Sequence, residues 1–387
     1  MATAARNLAK SFIDPAALQD FLANRIITPP KSDGRLRPIG IGEVPRRIIS
    51  KAILSVIKED ILNDIGLHNL CAGQTAAIES IIHWINAKFA EHASEAILLA
   101  DGDNAFQRLN RRVTLHNTRL ICPVIYPSLI NFYRSPVMQY VRTTNGQIHN
   151  IPSREGVVQG CVFAMCMYAI GLLPLVKKLD AMNTSSTKPK QVWYADDAQA
   201  VGKLDSLKSF LDALSLHGPI YGYHLNISKT ILCIKDNDAI NARATDIFQD
   251  DIQQGLKIQL GATDLGAAIG TPTFIQDLLQ NKCSKLLDQL DRLCLIAKTQ
   301  PHAAYTGYTL GLQHKLTFLM RTNPSLSLHL QQLEDKLTQS FLPTLLNEED
   351  RPLSDFDRQL YSLPAKLGGL AIRNPVKVAG PAFMTPS

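Results

Sequence analysis

An α+β fold is predicted for this chain by three observations. Strand-like and helix-like stretches are mixed up to about residue 272, and from Thr273 the hydrophobic spacing is helical only. The composition, 45% hydrophobic against 19% charged, is enough to bury a core. The length, 387 residues, corresponds at about 100–200 residues per domain to two or three compact units.

The elements follow in chain order. Residues 14–25 carry a short helical pattern. Pro29 to Ile39 (PPKSDGRLRPI) reads as a β-hairpin, because Asp33-Gly34 is a tight-turn dipeptide. Residues 46–62 and 74–92 place apolar residues at helical spacing. Ala96 to Ala100 (AILLA) is a short buried strand that ends on Asp101. Arg111 to Tyr133 is helical with breaks at Pro123 and Pro127, and 139–150 is a hairpin around Asn145-Gly146. Gly156 to Val176 is 21 uncharged residues, long enough to span a bilayer. Pro174 and three glycines (Gly156, Gly160, Gly171) interrupt it, so a buried helix is expected. Asn183 to Lys190 is a polar loop, and Gln191 to Gly202 (QVWYADDAQAVG) reads as strand, two-Asp tip, strand. A helix over 204–217 and strands at Thr230 to Ile234, Lys257 to Leu260 and Ala267 to Ile269 complete the mixed region. Helices over 273–298, 302–322 and 325–346 follow. In the tail from Asn347, Leu363 to Ile372 (LPAKLGGLAI) is expected to pack back on the body.

Composition excludes several classes. Seven scattered cysteines with no CxxC pair argue for reduced thiols in an intracellular protein, against a disulfide scaffold or a zinc finger. Met1 to Lys10 lacks an apolar core followed by a cleavage site, so no secretory signal is expected. The net charge of +6 permits an anionic partner without identifying one.

The sharpest local feature is Tyr194-Ala195-Asp196-Asp197. Two adjacent carboxylates at the tip of an apolar hairpin crowd like charges, and desolvation raises their pKa values. A divalent cation removes that penalty, and hard cations such as Mg²⁺ take carboxylate and phosphate oxygens. An ordinary polar turn is the plain alternative. Asp101 stands at the end of AILLA and can face Asp196 and Asp197 if the strands are neighbours; alone it reads equally as a helix N-cap. Three carboxylates from two strands suit two metal ions about 3.5–4 Å apart, the arrangement that moves phosphoryl groups. Asp103, on the same turn, is expected to point elsewhere.

These residues resemble a known family. The chain is similar to reverse transcriptases, most closely those of non-LTR retroelements and group II introns. Asp101-Gly-Asp-Asn-Ala105-Phe106 resembles the first catalytic motif and Tyr194-Ala-Asp-Asp197 the second. Arg154-Glu-Gly156-Val-Val-Gln159-Gly160 resembles the Gly-x-x-Gln-Gly motif, and Asn226 to Lys229 (NISK) the later lysine motif. Leu260-Gly261 with Leu265 to Thr271 (LGAAIGT) resembles the primer grip, and Pro30 to Ile39 the fingers hairpin, followed by a familiar Arg47 and Lys51 pattern. The likeness covers roughly residues 29–345.

The resemblance implies a right-hand polymerase of fingers, palm and helical thumb. Residues 1–95 would be an N-terminal segment with fingers, 96–272 the palm with a fingers insertion at about 107–155, 273–346 the thumb and 347–387 a tail. Asp101, Asp196 and Asp197 would be the catalytic, metal-binding carboxylates for two Mg²⁺ or Mn²⁺ ions. Lys31 and Arg37, with Arg35 as the alternative, would meet the dNTP triphosphate, and Phe106 would exclude a ribose 2′-hydroxyl. Gln159 and Gly160 would border the nascent base pair, and Lys229 would donate a proton or aid the pyrophosphate electrostatically. Gly261, Lys285 and Arg292, with Lys282 and Lys298, would touch template and primer. The implied partners are an RNA or DNA template with primer and dNTPs, with no membrane and no evident protein partner.

Cys161-Val162 stand where the family usually has Asp-Pro or Ser-Pro, and Phe163-Ala164-Met165 where Ser-Pro is usual. Two other readings therefore stay open: an inactive retroelement remnant that only binds nucleic acid, and an RNA-dependent RNA polymerase, against which Phe106 and YADD weigh. Seven basic and two acidic residues from Arg25 to Lys51 place nearly the whole positive excess in the expected fingers.

Overall fold

The computed structural model describes residues 1–30, 34–182, 188–348 and 350–384. They form two compact units. The first comprises Met1–Ala77, Glu91–Leu232 and Asp238–Ile258; the second comprises Ile78–Ala90, Cys233–Asn237 and the chain from Gln259 onward.

In chain order the elements begin with α1 (Ala2–Lys10), α2 (Pro15–Leu22), β1 (Asn24–Ile27), β2 (Ile39–Gly42), α3 (Val44–Ile65) and α4 (Ala77–Ala90). Next come β3 (Ala96–Ala100), α5 (Ala105–Arg108), α6 (Arg111–Ile121), α7 (Tyr126–Tyr133), β4 (Val137–Arg142), β5 (Ile148–Ser153) and α8 (Ala164–Met182). They are followed by β6 (Lys190–Tyr194), β7 (Asp197–Gly202), α9 (Leu204–Tyr221), β8 (Ile231–Ile234), α10 (Asp238–Ile247), α11 (Gln249–Gln253) and β9 (Lys257–Gln259). The chain continues with β10 (Gly261–Asp264), β11 (Ala267–Gly270) and helices α12 (Pro272–Ala297), α13 (Pro301–Gly307), α14 (Gln313–Thr322), α15 (Gln331–Lys336), α16 (Leu342–Leu346), α17 (Asp355–Ser362) and α18 (Pro375–Met384).

One sheet has the order β2-β1-β4-β5, with β1 antiparallel to β2 and parallel to β4. The helix expected over 14–25 stops at Leu22, and Asn24 begins β1 instead. Arg46, buried on α3, reaches back to Leu22 O and Asn24 Oδ1 and holds the chain extended there. Pairing on both sides of β1 outweighs the local helical preference. The edge strand β5 carries Pro152, which withholds a donor and discourages pairing with a further strand.

The second sheet has the order β6-β7-β3-β8-β9. Every residue of β3 is buried, so AILLA reads as a continuous apolar run rather than an alternating one. The apolar stretch from Gly156 becomes a helix only at Ala164. Gly156 and Gly160 adopt left-handed φ values of +65° and +102°, which an α-helix does not contain. From there α8 is buried along most of its length, and it continues through Pro174. Among the described residues no helix is long and apolar enough to cross a membrane.

The second unit is built on α12, whose N-terminus is capped by Thr271 with Pro272 in the first turn. Leu279, Cys283, Leu286 and Leu290 line its buried stripe. The two further helices expected over 302–322 and 325–346 are each interrupted by a π-helical turn, Tyr308–Leu312 and Leu337–Phe341. Each turn inserts an extra residue that redirects an aromatic side chain, and the Tyr308 and Phe341 rings meet at 5.2 Å in the core. Leu363 to Ile372 does pack back, with Ile372 fully buried among these helices.

Candidate active site

β3 and β7 pair antiparallel with Ala100 opposite Ala198, so Asp101 follows the end of β3 beside Asp197, the first residue of β7. β6 and β7 form a hairpin in which Tyr194 pairs with Asp197, leaving Ala195-Asp196 as a two-residue turn. Such turns need positive φ, and Ala195 has φ +54°. Buried Asn69 fixes this conformation: its Oδ1 accepts from Ala195 N–H at 3.2 Å, and its amide donates to Ala195 O at 3.4 Å. Asp101, Asp196 and Asp197 thus lie at the ends of neighbouring strands, and the Asp101 charge acts on Asp196.

The other side of the cluster is the segment 223–229. The Tyr223 hydroxyl, fully buried, lies 3.3 Å from Ala100 O and 3.0 Å from Asp196 O, and so ties the two strand ends together. Asn226 N–H donates to Asp101 O at 2.8 Å, and Asp103 N–H to His224 O at 2.7 Å. Gly102 leaves little room: an added Cβ would lie 3.1 Å from the Tyr223 ring and 3.5 Å from Asp196 Cβ. Asp103 turns to Arg108, 3.1 Å away, and leaves the cluster as expected. Tyr223 and Asn69 are supporting residues that sequence reasoning passed over; both are separated in sequence from the residues they hold, and no local pattern marks them.

Burial pushes the Asp196 carboxyl above its ordinary range, its own backbone N–H opposes the push, and the Asp101 charge adds to it. The positive charges of Lys229 and Arg37 pull it back down. Lys229 Nζ sits 3.0 Å from Asp101 Oδ2. Arg37 is exposed, and its charge acts on Asp196; Arg37 N–H also donates to Pro29 O at 3.0 Å. Lys31 and Asp33 lie outside the described residues.

Phe106, half-buried on α5, packs its ring 5.0 Å from that of Tyr168, and its carbonyl accepts from Val157 N–H at 2.7 Å. Gln159 O accepts from Gly40 N–H at 2.7 Å, joining the Gln-Gly motif to β2. Gln159 Oε1 is buried with no partner among the described residues. Gly160, at φ +102°, would put a Cβ 2.5 Å from Gly40 O. Gly160→Ala is therefore expected to destabilise the protein by at least about 1–3 kcal/mol in urea unfolding; an unchanged midpoint would mean that this contact is not held in solution.

Arg111, buried and unmarked in the sequence reading, braces the approach to this motif. It donates to the carbonyls of Gly156, Ser153 and Glu155 at 2.9–3.0 Å and lies over the Tyr133 ring. In the second unit β10 and β11 form a two-stranded ribbon closed by Leu265-Gly266. Gly261 is buried there beneath the Phe274 ring, which an added Cβ would strike. Lys285 and Arg292 are exposed on α12, while half-buried Lys282 donates to Gly266 O at 2.9 Å.

Among the described residues no three His, Cys, Asp or Glu side chains close into a metal cage by themselves. Two or three carboxylates at strand ends suit instead a hard cation that completes its shell with water and phosphate oxygens. The upward push on Asp196 from burial and Asp101 is relieved by positive charge placed between them.

With carboxylates at the ends of antiparallel β3, β6 and β7, the fold is a right-hand polymerase fold. An apo telomerase structure from Candida tropicalis matches with a TM-score of 0.54 at 12% identity, covering 97% of this chain and 65% of that one. A Candida albicans telomerase, solved with a fragment of telomeric RNA, matches with a TM-score of 0.50 at 12% identity, covering 94% and 61%. No protein-family profile matches the chain. By sequence the chain is similar to the retrotransposable element SLACS 132 kDa protein of Trypanosoma brucei gambiense, 23% identical over 368 residues, which is 90% of this chain. The chain spans 28% of the length of that relative. The chain thus shares its fold with these telomerase structures and has a sequence likeness to a retroelement protein.

Proposed function

We propose that the chain is a reverse transcriptase-like, template-directed DNA polymerase that adds dNTPs to a primer 3′-hydroxyl, as part of a retroelement protein. The observation that supports it is the position of Asp101, Asp196 and Asp197 at the ends of adjacent strands, with the Asp101 charge acting on Asp196. In this reading those residues hold two Mg²⁺ or Mn²⁺ ions. Bound there, such ions would activate the primer hydroxyl and offset charge on the departing pyrophosphate. Arg37 and Lys31 meet the triphosphate, and Gln159 and Gly160 border the nascent pair. Gly261, Lys285 and Arg292 meet template and primer, and residues 1–95, 96–272 and 273–346 serve as fingers, palm and thumb, with 347–387 as the tail.

Extension of a primer on defined RNA and DNA templates tests this reading; no extension with either metal on either template would reject it. Phe106 makes a finer expectation. Phe106→Val opens space beside the sugar, so rNTP incorporation relative to dNTP rises by about 10–200-fold, the range of one steric contact. An unchanged ratio removes the ribose gate from Phe106. Preference of the wild type for rNTPs would instead mark an RNA polymerase.

Cys161-Val162 after Gln159-Gly160 favours a second reading, a remnant that binds nucleic acid without catalysis. Template binding without extension would establish it.

A further inference from the structure

We propose that Lys229 is a resident counter-ion of the carboxylate cluster, holding the place of a cation against Asp101, so that a divalent cation binding there must displace it. This rests on the reading of Asp101 and Asp196 as metal-binding carboxylates.

Geometry carries the inference. Lys229 Nζ lies 3.0 Å from Asp101 Oδ2. The lysine closes a single tight turn, Ile227–Lys229, whose Lys229 N–H donates to Asn226 O at 3.1 Å. Asn226 N–H donates in turn to Asp101 O at 2.8 Å. The backbone that carries the ammonium is thus tied to the backbone that carries the carboxylate, and the pair meets across a short, braced span. Its side chains are 40% and 29% exposed, so the contact is open to exchange with solvent ions. The same ammonium also acts on Asp196, where it opposes the upward push on that carboxyl.

One positive charge therefore serves carboxylates from two strands, which is the duty of a bound cation. A divalent ion and the ammonium cannot share Asp101 Oδ2 without like-charge repulsion. Displaced, the ammonium gains freedom to meet an anionic substrate group, so cation and polyphosphate would bind with positive coupling. Lys229 then acts as a positioning residue that keeps the empty cluster ordered and sets its cation affinity.

Mn²⁺ binding to the full chain, read from the free-ion electron paramagnetic resonance signal, tests this. Lys229→Gln is expected to bind Mn²⁺ about tenfold more tightly than wild type, and Lys229→Arg to remain close to it. Asp196→Asn abolishes binding in either background. Equal or weaker binding by Lys229→Gln, with binding still lost in Asp196→Asn, overturns the counter-ion and leaves the metal site standing. Wild-type binding that Asp196→Asn does not affect overturns the metal site itself and the counter-ion with it. A second measurement needs no variant. Addition of Mn²⁺ is expected to speed amine-reactive labelling of Lys229, followed by mass spectrometry; an unchanged or slower rate overturns the proposal.

Discussion

Asp196→Asn is expected to abolish primer extension and, at the same time, to raise the thermal stability of the metal-free protein. The fall in turnover should be at least about 10²–10³-fold, the scale of losing one preorganised electrostatic contact, with template affinity retained. The stability gain follows from titration. Burial, together with the Asp101 charge, lifts the folded Asp196 carboxyl above its ordinary value of 3.8. The folded protein therefore holds this proton to higher pH than the unfolded chain does. The contribution of this group to stability is intact below the unfolded value and is lost as the pH climbs through the folded one. At neutral pH the ionised carboxylate is a net penalty, and asparagine removes it. Melting curves at pH 4 and pH 7 without divalent ions check the sign: the variant should gain at pH 7 and gain less at pH 4. Extension at the wild-type rate would dismiss Asp196 from catalysis, and a lower melting point at pH 7 would dismiss the electrostatic account.

Arg358→Met is expected to destabilise the second unit by about 3–5 kcal/mol, because it strands a buried carboxylate. Arg358 grips Glu334 with two parallel bonds, Nε to Oε1 at 2.7 Å and Nη2 to Oε2 at 2.8 Å. Both side chains are only 9% exposed. A third guanidinium donor reaches Ile372 O at 2.8 Å, and Asn374 Nδ2 donates to Glu334 Oε1 at 2.8 Å. These bonds lock the segment after residue 347 onto α15. Urea unfolding together with limited proteolysis measures the effect, and cleavage should concentrate after residue 347. Arg358→Met with Glu334→Leu should recover most of the loss, since an apolar pair of similar volume is tolerated. A single-variant effect below about 1 kcal/mol would mean that the tail is only loosely attached.

The two residue sets differ in how far they were readable. Asp101, Asp196 and Asp197 stand out as candidates in the sequence because the proposed chemistry demands particular residue types at strand ends, and strand ends show as apolar runs that stop on a polar residue. The Arg358–Glu334 pair does not, because no spacing links two ordinary charged residues 24 positions apart until the tail folds back. β10 was missed because its residues, Gly261–Asp264, have little strand preference; pairing with β11 and packing of Phe274 on Gly261 create the strand. Periodicity likewise gives no helix at α10 and α11, nor at α17 and α18 in the tail. The apolar run from Gly156 is buried as its composition predicts, yet its first eight residues are not helical, since periodicity is blind to glycines held at positive φ.

Local sequence determined the α+β class, most element types, and the candidate residues at the turn and strand ends. These follow from short-range rules: hydrophobic period, turn dipeptides, and the penalty on crowded carboxylates. Tertiary structure decided which of them meet. It brought Asp101 beside the β6-β7 turn, placed Lys229 on Asp101, and recruited Tyr223, Asn69 and Arg111 as supports. Those contacts join residues as much as 128 positions apart, and they exist only once sheet register and helix packing have closed the long loops between them.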